Sequence, residues 1–191
     1  LAKAGLFVFP CYPKDEGEGD EKGERQFKAK RPLYGVQWRR HSTVDAEQIA
    51  AWWTSRPDAV PALDMAKCGL LAIDADRHDK ACDGVTAWHD LVRRHKPMFA
   101  PVVETPNDGL HVYFRNRTPP HGNKEGRLKG TGINVRGAGG FVIAPGAIMA
   151  DGRKYNARGN IERAPDAPEW LWALLAGEAE ERPIPTKKVQ A

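Results

Sequence analysis

The apolar segments of this chain are short, and glycine, proline or charged residues interrupt them after a few positions. Residues 69–73 and 140–143 are typical examples. A helix that crosses a bilayer needs roughly 20 consecutive apolar residues, so the sequence excludes a transmembrane helix. The opening residues 1–10 hold too short an apolar stretch for a secretory signal. We therefore expect a globular fold built from short strands and helices, without a membrane partner.

The chain has 191 residues, which is enough for one substantial domain. Its cysteines, Cys11, Cys68 and Cys82, are odd in number and form no CxxC pair. This pattern favours a reducing, cytoplasmic location over a disulfide scaffold. The formal net charge is +4, and six basic residues face a single acid between Arg115 and Arg136. A basic excess of this size is compatible with nucleic-acid binding and does not demonstrate it.

Hydrophobic spacing and turn residues predict an α+β domain with a mostly antiparallel sheet. Strands are predicted at residues 5–9, 68–76, 101–105, 110–114, 132–135 and 141–144. Helices are predicted after a capping box at 42–45, from 83 to 94, and over 167–175. The strands at 132–135 and 141–144 are expected to pair with each other. Residues 14–31 are predicted to form an exposed loop, and residues 177–191 a linker.

Two acids follow the apolar part of the strand predicted at residues 68–76. Asp74 and Asp76 are two positions apart, so in a strand both carboxylates lie on the same face. Neighbouring carboxylates repel unless a cation neutralises them, and hard oxygen ligands suit Mg²⁺ or Mn²⁺. The sequence therefore offers a candidate metal site. The simpler alternative is a strand end that enters solvent at a turn.

His111 lies in a predicted strand directly after a tight turn. Alternation places His111 and Tyr113 on one face of that strand, opposite Leu110, Val112 and Phe114. A histidine in this position is suited to phosphate binding or proton transfer. A lone strand histidine with a purely structural role is the competing interpretation.

The segment from Gly132 to Gly146 is unusually rich in glycine, which permits tight turns and close backbone approach. Asn134 and Arg136 lie two apart on one face of its first strand. A guanidinium can bind a triphosphate through two parallel hydrogen bonds. The segment matches neither a Walker A loop nor GxGxxG. A glycine-rich hairpin with a surface arginine is the alternative.

Taken in order, these segments resemble the bifunctional primase–polymerase domain of the archaeo-eukaryotic primase superfamily. The resemblance runs from about Gly5 to Leu175. It includes residues 5–10, Lys30–Leu33 with Trp38, Thr43–Trp53, Ile73–Asp76, Thr105–Phe114 and Asn134–Pro145. It implies an RRM-like catalytic sheet joined to an N-terminal α/β lobe, with the active cleft between them. It also implies a catalytic domain over residues 1–176.

The resemblance implies template-directed nucleotidyl transfer, in which a 3′-hydroxyl attacks the α-phosphorus of a nucleotide and pyrophosphate leaves. Asp74 and Asp76 would hold divalent metal ions, Mg²⁺ or Mn²⁺, and His111 would bind the triphosphate. Arg136 is a further nucleotide-binding candidate. The implied partners are a single-stranded DNA template, nucleoside triphosphates and a helicase domain in the same or a neighbouring chain. The implied setting is replication of a phage, plasmid or mobile element.

Asn134 departs from the family pattern, which supplies a carboxylate at this metal-ligand position. An amide oxygen can bind a metal ion but compensates no charge. Two dications about 4 Å apart repel by roughly 16 kcal/mol at an effective dielectric of 20, so each missing negative charge matters. An engineered inactive variant, a naturally weakened enzyme, and a second ion that arrives with the triphosphate all remain open.

Other interpretations use the same residues. A nucleic-acid-binding module without catalysis would explain Asn134. A metal-dependent nuclease would use the same acids, but the sequence offers no obvious catalytic lysine beside them. Zinc binding is disfavoured because the spacing of its candidate ligands matches no common finger. Those candidates are Cys68, His78, Cys82 and His89.

Overall fold

The structure is a computed structural model, and it describes residues 1–17, 26–79, 82–95 and 98–178. Its strands are β1 (Val8–Cys11), β2 (Val60–Asp64), β3 (Leu70–Ala75), β4 (Arg77–Asp79), β5 (Cys82–Asp83), β6 (Val102–Glu104), β7 (Leu110–Arg115), β8 (Ile133–Arg136), β9 (Phe141–Ile143) and β10 (Asn156–Arg158). Its α-helices are α1 (Trp38–His41), α2 (Ala46–Ser55), α3 (Gly84–Arg94) and α4 (Glu169–Ala176). Short 3₁₀ turns cover Ala2–Ala4, Gly126–Leu128 and Ile161–Arg163.

The strands form two main antiparallel sheets. A three-stranded sheet has the order β1-β2-β9, and a five-stranded sheet has the order β10-β6-β7-β3-β8. Strands β4 and β5 form a small separate ribbon. Helix α3 lies between β3 and β6 in the chain, while β7 lies between those two strands in the sheet. This mixed architecture with antiparallel sheets agrees with the predicted α+β class. In the described residues, no helix combines the length and apolar character needed to cross a membrane.

The five-stranded sheet is covered on both faces, because its side chains alternate between two apolar clusters. Ala72 and Tyr113 pack with residues of the three-stranded sheet. Ile73 and Phe114 belong to the other cluster, together with the buried faces of α3 and α4. The period-two alternation of a strand explains this division. The prediction that Tyr113 lies on the opposite face of its strand from Val112 and Phe114 is confirmed.

The predicted start of α3 is confirmed at its capping residue. Asp83 is the N-cap, and its Oδ1 accepts a hydrogen bond of 2.9 Å from the backbone N–H of Thr86. The capping box predicted at 42–45 is wrong, because the helix starts three residues later than a cap at Ser42 would place it. Asp45 itself is the N-cap of α2, accepting from the backbone N–H of Gln48 at 2.7 Å. The hydroxyl of Ser42 instead donates to buried Asp64 at 2.7 Å.

The first strand begins later than predicted and runs through Pro10. It covers Val8–Cys11, with Pro10 opposite Pro61 in β2. Proline lacks the N–H that a central strand must donate, but β1 is an edge strand of its sheet. The outer edge pairs locally with the following loop, where the N–H of Leu33 donates to the Pro10 carbonyl oxygen at 3.1 Å.

The expected pairing of residues 132–135 with 141–144 is wrong. Strand β8 pairs with β3 at the edge of the five-stranded sheet, whereas β9 pairs with β2 in the other sheet. Val135 is buried in the cluster that contains α3 and α4, whereas Val142 is buried in the cluster between the two sheets. Residues 137–140 therefore carry the chain from one sheet to the other.

Two predictions extend beyond the described residues. Within the loop predicted at 14–31, residues 18–25 lie outside the description. The described ends of this loop are paired, because Glu16 and Phe27 exchange backbone hydrogen bonds of 2.8 Å. The ring of Phe27 also stacks on Tyr12. The linker predicted at 177–191 lies outside the description beyond residue 178.

Candidate functional site

A cleft of about 610 Å³ lies where the two sheets face each other. Its lining comes from β3, β7 and β8 of the five-stranded sheet, from β9 of the three-stranded sheet, and from residues 29–31 and 38–39. Four of the predicted site residues line it, namely Asp74, Asp76, His111 and Arg136. The fifth, Asn134, contacts Asp76 from β8. The structure therefore brings all five together.

Strand pairing explains why these side chains meet. Strand β3 is flanked by β7 and β8, and Asp74 is directly opposite His111 on one side and Asn134 on the other. Residues opposite each other in neighbouring strands project to the same face of the sheet. Asp74, near the end of β3, is 8% exposed. Three distant parts of the chain thus reach one place through the sheet register alone.

Asp74 is held between two nitrogen donors. Its Oδ1 lies 3.3 Å from Nε2 of His111, and its Oδ2 accepts a hydrogen bond of 3.1 Å from Nε of Arg136. Burial would by itself raise the pKa of the Asp74 carboxyl. Hydrogen bonding and charge from His111 and Arg136 outweigh burial, so the pKa lies below its usual range. Asp74 is therefore an anion at neutral pH.

Asp76 lies just beyond the end of β3 and is bound by Asn134. The Asn134 side-chain amide donates to Oδ2 of Asp76 at 3.0 Å. The backbone N–H of Asp76 donates to the Gly132 carbonyl oxygen at 3.0 Å, which fixes the acid beside β8. The side-chain amide of Asn134 thus attracts the Asp76 carboxylate through its N–H. An acid at position 134 would repel that carboxylate instead.

His111 is fixed at both ring nitrogens. Its Nδ1 lies 3.3 Å from the hydroxyl oxygen of Tyr113, while Nε2 faces Asp74. Burial raises the pKa of the fully buried Tyr113, and the negative charge of Asp74 raises it further. A neutral phenol can donate to Nδ1, and in the tautomer that accepts this hydrogen bond the imidazole presents its N–H at Nε2 to the carboxylate.

Gly139 and Gly140 line the cleft, and the segment 137–140 to which they belong is held by hydrogen bonds from its own backbone N–H groups. The N–H of Gly137 donates to Oδ1 of Asn123 at 2.9 Å, and that of Ala138 donates to the His121 carbonyl oxygen at 2.8 Å. A Cβ added at Gly137 would clash with the carbonyl oxygens of His121 and Gly122. Glycine at this position is therefore required by close backbone packing.

Several residues of the cleft were missed by reasoning from sequence. Lys30, Arg31 and Arg39 reach it from the N-terminal part of the chain, and Tyr155 from the segment before β10. Arg39 Nη2 donates to the Gly139 carbonyl oxygen at 2.9 Å. Lys30 and Arg31 belong to a sequence segment that resembles the family, but the resemblance assigned no role to either residue.

The arginines of the basic segment 115–136 lie in different surroundings. Arg115 pairs with Asp166 at 2.9 Å, and the guanidinium of Arg117 lies 4.9 Å from the Trp172 ring centre. Neither lines the cleft, whereas Arg136 does.

Of the candidate zinc ligands, Cys68 has a partner elsewhere in the protein. Its Sγ accepts a 3.2 Å hydrogen bond from the N–H of Phe7, and burial raises the pKa of its thiol to about 11. The side chain of His78 is outside the part of the chain that the structure describes.

Among the described residues, no group of three or more His, Cys, Asp or Glu side chains is arranged to hold a metal ion. Among the described residues that line the cleft, the carboxylates are those of Asp74 and Asp76, and Asn134 lies beside them. Mg²⁺ commonly uses one or two protein carboxylates and completes its shell with substrate phosphates and water. The donor set therefore fits one such ion together with a phosphorylated substrate.

Comparison with protein families matches residues 1–170 to the Prim-Pol family, described as bifunctional DNA primase/polymerase, N-terminal. The chain belongs to the Prim-Pol family. The matched region includes every element from β1 to β10 and all five predicted site residues. The predicted resemblance is thereby confirmed, and the activity implied by the Prim-Pol family is of the DNA primase/polymerase type. No curated protein matches the chain.

Proposed function

We propose that this chain is a catalytic domain that makes primers or extends DNA by template-directed nucleotidyl transfer. The observation that carries the proposal is the convergence of Asp74, Asp76, His111 and Arg136 on one cleft of a Prim-Pol domain. In this reaction a 3′-hydroxyl oxygen attacks the α-phosphorus, a phosphodiester bond forms, and pyrophosphate leaves. The proposed substrates are ribo- or deoxynucleoside triphosphates and a single-stranded DNA template.

The charged side chains suit a triphosphate. Arg136 offers a guanidinium inside the cleft, and the Nε2 atom of His111, which faces Asp74, would share its N–H with a phosphate oxygen bound beside that carboxylate. Because β7 and Tyr113 fix the imidazole, the donor is already oriented when the substrate enters. We propose that Arg136 and His111 bind phosphate oxygens and stabilise the charge that develops as pyrophosphate leaves.

The two aspartates supply the negative charge of the site. Asp74 and Asp76 would hold Mg²⁺ or Mn²⁺, which when bound supplies a Lewis acid for the attacking oxygen and for the triphosphate. Asn134 reduces the negative charge available here by one relative to a third carboxylate. We therefore propose weaker metal binding than in a site with an acid at position 134.

The wider setting is also proposed. The order β6-β7-β3-β8, with α3 linking β3 to β6, supports an RRM-like catalytic sheet. The three-stranded sheet and residues 29–39 on the other side of the cleft would then be the N-terminal lobe. A helicase partner and replication of a phage, plasmid or mobile element complete the proposal.

The proposal is tested by incubating the protein with a single-stranded DNA template, nucleoside triphosphates and Mn²⁺. We expect new oligonucleotides, and we expect Asp74→Asn to lower their yield by at least 100-fold because it removes a carboxylate from the centre of the site. Asp151→Asn is the matched control, since Asp151 is exposed and pairs with Arg153 outside this cleft. Template shortening without new product would instead indicate a nuclease.

A second candidate function is nucleic-acid binding without catalysis. It is favoured by the hydrogen bond between Asn134 and Asp76, since this pair is satisfied without any cation. A shift in the mobility of single-stranded DNA without product, in both Mg²⁺ and Mn²⁺, would support it against the first proposal.

A further inference from the structure

Lys30 has an unusual backbone conformation for its residue type. Its φ angle is +65°, and among the described residues only Asp108 is another non-glycine residue with positive φ. This left-handed conformation brings the Cβ atom close to the following carbonyl oxygen, so glycine or asparagine is favoured there. Two hydrogen bonds hold the turn: Lys30 N–H to the Tyr12 carbonyl oxygen at 2.8 Å, and Arg31 N–H to the Lys28 carbonyl oxygen at 3.2 Å.

The side chain of Lys30 lies in the cleft, near the end that contains His111. Its Nζ is 5.8 Å from the centre of the Tyr155 ring, and the same ring lies 5.8 Å from that of His111. Tyr155 is thus a common neighbour of the lysine and the histidine. Lys30, His111, Asp74 and Arg136 line a single cavity.

Lys30 makes no ion pair with any carboxylate in the described parts of the chain, in contrast to its neighbour Lys28. Lys28 is exposed and pairs with Asp15 at 2.9 Å. Counting only lysine, arginine and aspartate side chains, the cleft contains Lys30, Arg31, Arg39 and Arg136 against Asp74 and Asp76. Cations outnumber anions in this lining, and an anionic ligand would restore the balance.

We propose that Lys30 binds the triphosphate of the incoming nucleotide, opposite the side of the cleft that carries Asp74 and Arg136. The inference rests on the proposed function and adds a binding residue to it. Strained backbone is retained at functional sites where the surrounding structure enforces it, and here the enforced turn directs an ammonium group into a polar cleft. The cavity is in the size range of small-molecule sites, which favours a nucleotide over a DNA backbone as the ligand.

The test measures binding of ATP by calorimetry, with and without Mg²⁺, to the unsubstituted protein and to Lys30→Gly. Glycine removes the ammonium and relieves the positive φ, so the variant is expected to melt at the same or a higher temperature. We expect ATP to bind about 10- to 100-fold more weakly, as for the loss of one charge-assisted hydrogen bond. Lys30→Arg should retain affinity within a few fold, and adenosine should bind equally to all variants.

Lys28→Gly is the matched control, because it removes one positive charge from the same turn outside the cleft. It should leave ATP affinity unchanged. If Lys30→Gly unfolds, Lys30→Asn provides the same test, since asparagine also tolerates positive φ. Unchanged ATP affinity in the folded Lys30 variants overturns the inference while the proposed function stands. A loss of single-stranded DNA binding with unchanged ATP affinity also overturns it. Absence of ATP binding and primer synthesis in the unsubstituted protein overturns both.

Discussion

At the scale of single residues, the site is organised around Asp74, a carboxylate that remains charged although it is buried. A buried charge is costly unless nearby groups compensate it. Arg136 and His111 do so from the two neighbouring strands, at 3.1 and 3.3 Å. The adjacent acid, Asp76, has a neutral neighbour in Asn134. The two carboxylates thus have different partners, and Asn134 is the position at which one substitution changes the charge of the site most directly.

We predict that Asn134→Asp raises the affinity for Mn²⁺ by at least about tenfold, because a third carboxylate adds charge–charge attraction for a dication. Without metal, the same change replaces a hydrogen bond by repulsion toward Asp76 and should lower the free energy of unfolding by about 1–3 kcal/mol. Calorimetric titration with Mn²⁺ and urea unfolding in a chelator measure the two effects.

The control for this prediction is Asn160→Asp, which adds the same charge at an exposed position. It should change neither the Mn²⁺ affinity nor the unfolding free energy by more than a small amount. Equal Mn²⁺ affinity and primer synthesis in Asn134→Asp and the unsubstituted protein would show that position 134 has been assigned wrongly.

At the scale of secondary structure, elements with local signals were predictable from sequence. The N-cap of α3 is an example, since Asp83 both precedes an amphipathic segment and accepts from the N–H of Thr86. The capping box at 42–45 failed because Ser42 makes a tertiary hydrogen bond with buried Asp64, which the local pattern does not show. The pairing of β8 and β9 failed for a similar reason, because the choice of partner strand depends on which cluster buries each strand.

We predict that Asp83→Ala lowers the free energy of unfolding by about 1 kcal/mol at neutral pH, through loss of the cap of α3. Partial burial raises the pKa of Asp83, but hydrogen bonds from Thr86 and the charge of Arg77 lower it more. A lowered pKa in the folded state means that this stabilisation is present above the unfolded pKa near 3.9 and lost as pH falls through the folded value.

Urea unfolding of both proteins from pH 7 to pH 3 measures this effect. The difference between them should be constant down to about pH 4 and shrink below it. Asp83→Asn is the control, because asparagine caps as well as aspartate but does not titrate in this range. A difference that persists unchanged to pH 3 would show that the charge of Asp83 does not contribute.

We also predict that Gly137→Ala destabilises the protein by about 1–3 kcal/mol, because the added Cβ overlaps two backbone carbonyl oxygens and forces the 121–123 segment away. Gly122→Ala is the matched control in the same contact, since its Cβ would lie at 3.4 Å from the Ala138 oxygen. Equal unfolding free energies for the two variants would argue against a tight fit at Gly137.

At the scale of the whole molecule, the five-stranded sheet is packed between the three-stranded sheet and the helices α3 and α4. The alternation that assigns side chains to these two faces is visible in the sequence. The convergence of Lys30, Arg39 and Tyr155 with the β3 acids is not, because it depends on how the two sheets are placed against each other. Sequence reasoning therefore identified the site residues on or next to β3, β7 and β8 and missed those on the opposite side of the cleft.

Because residues of both sheets line the cleft, we predict that ATP stabilises the two sheets as a single unit. At an ATP concentration 100 times its dissociation constant, the stabilisation is about 2.7 kcal/mol. For a chain of this size that corresponds to a rise in melting temperature of roughly 5–10 °C. Thermal unfolding followed by tryptophan fluorescence and by circular dichroism should show one transition that shifts as a whole.

Adenosine at the same concentration is the control, and it should produce a much smaller shift because it lacks the phosphates. Two transitions, of which ATP moves only one, would mean that the sheets unfold separately and that the ligand contacts one of them.

The passage from β8 to β9 also limits how this chain can vary in length. Residues 137–140 join two different sheets, and the N–H groups of Gly137 and Ala138 donate to the Asn123 side chain and to the His121 carbonyl oxygen. Because this connection is held at both sheets, an inserted residue must either bulge outward or shift β9 by one position along β2. A slide of one position would exchange the inward and outward sides of β9, turning Val142 away from the interior. Insertions and deletions should therefore be far less tolerated in this crossing than in the loop that contains residues 14–31.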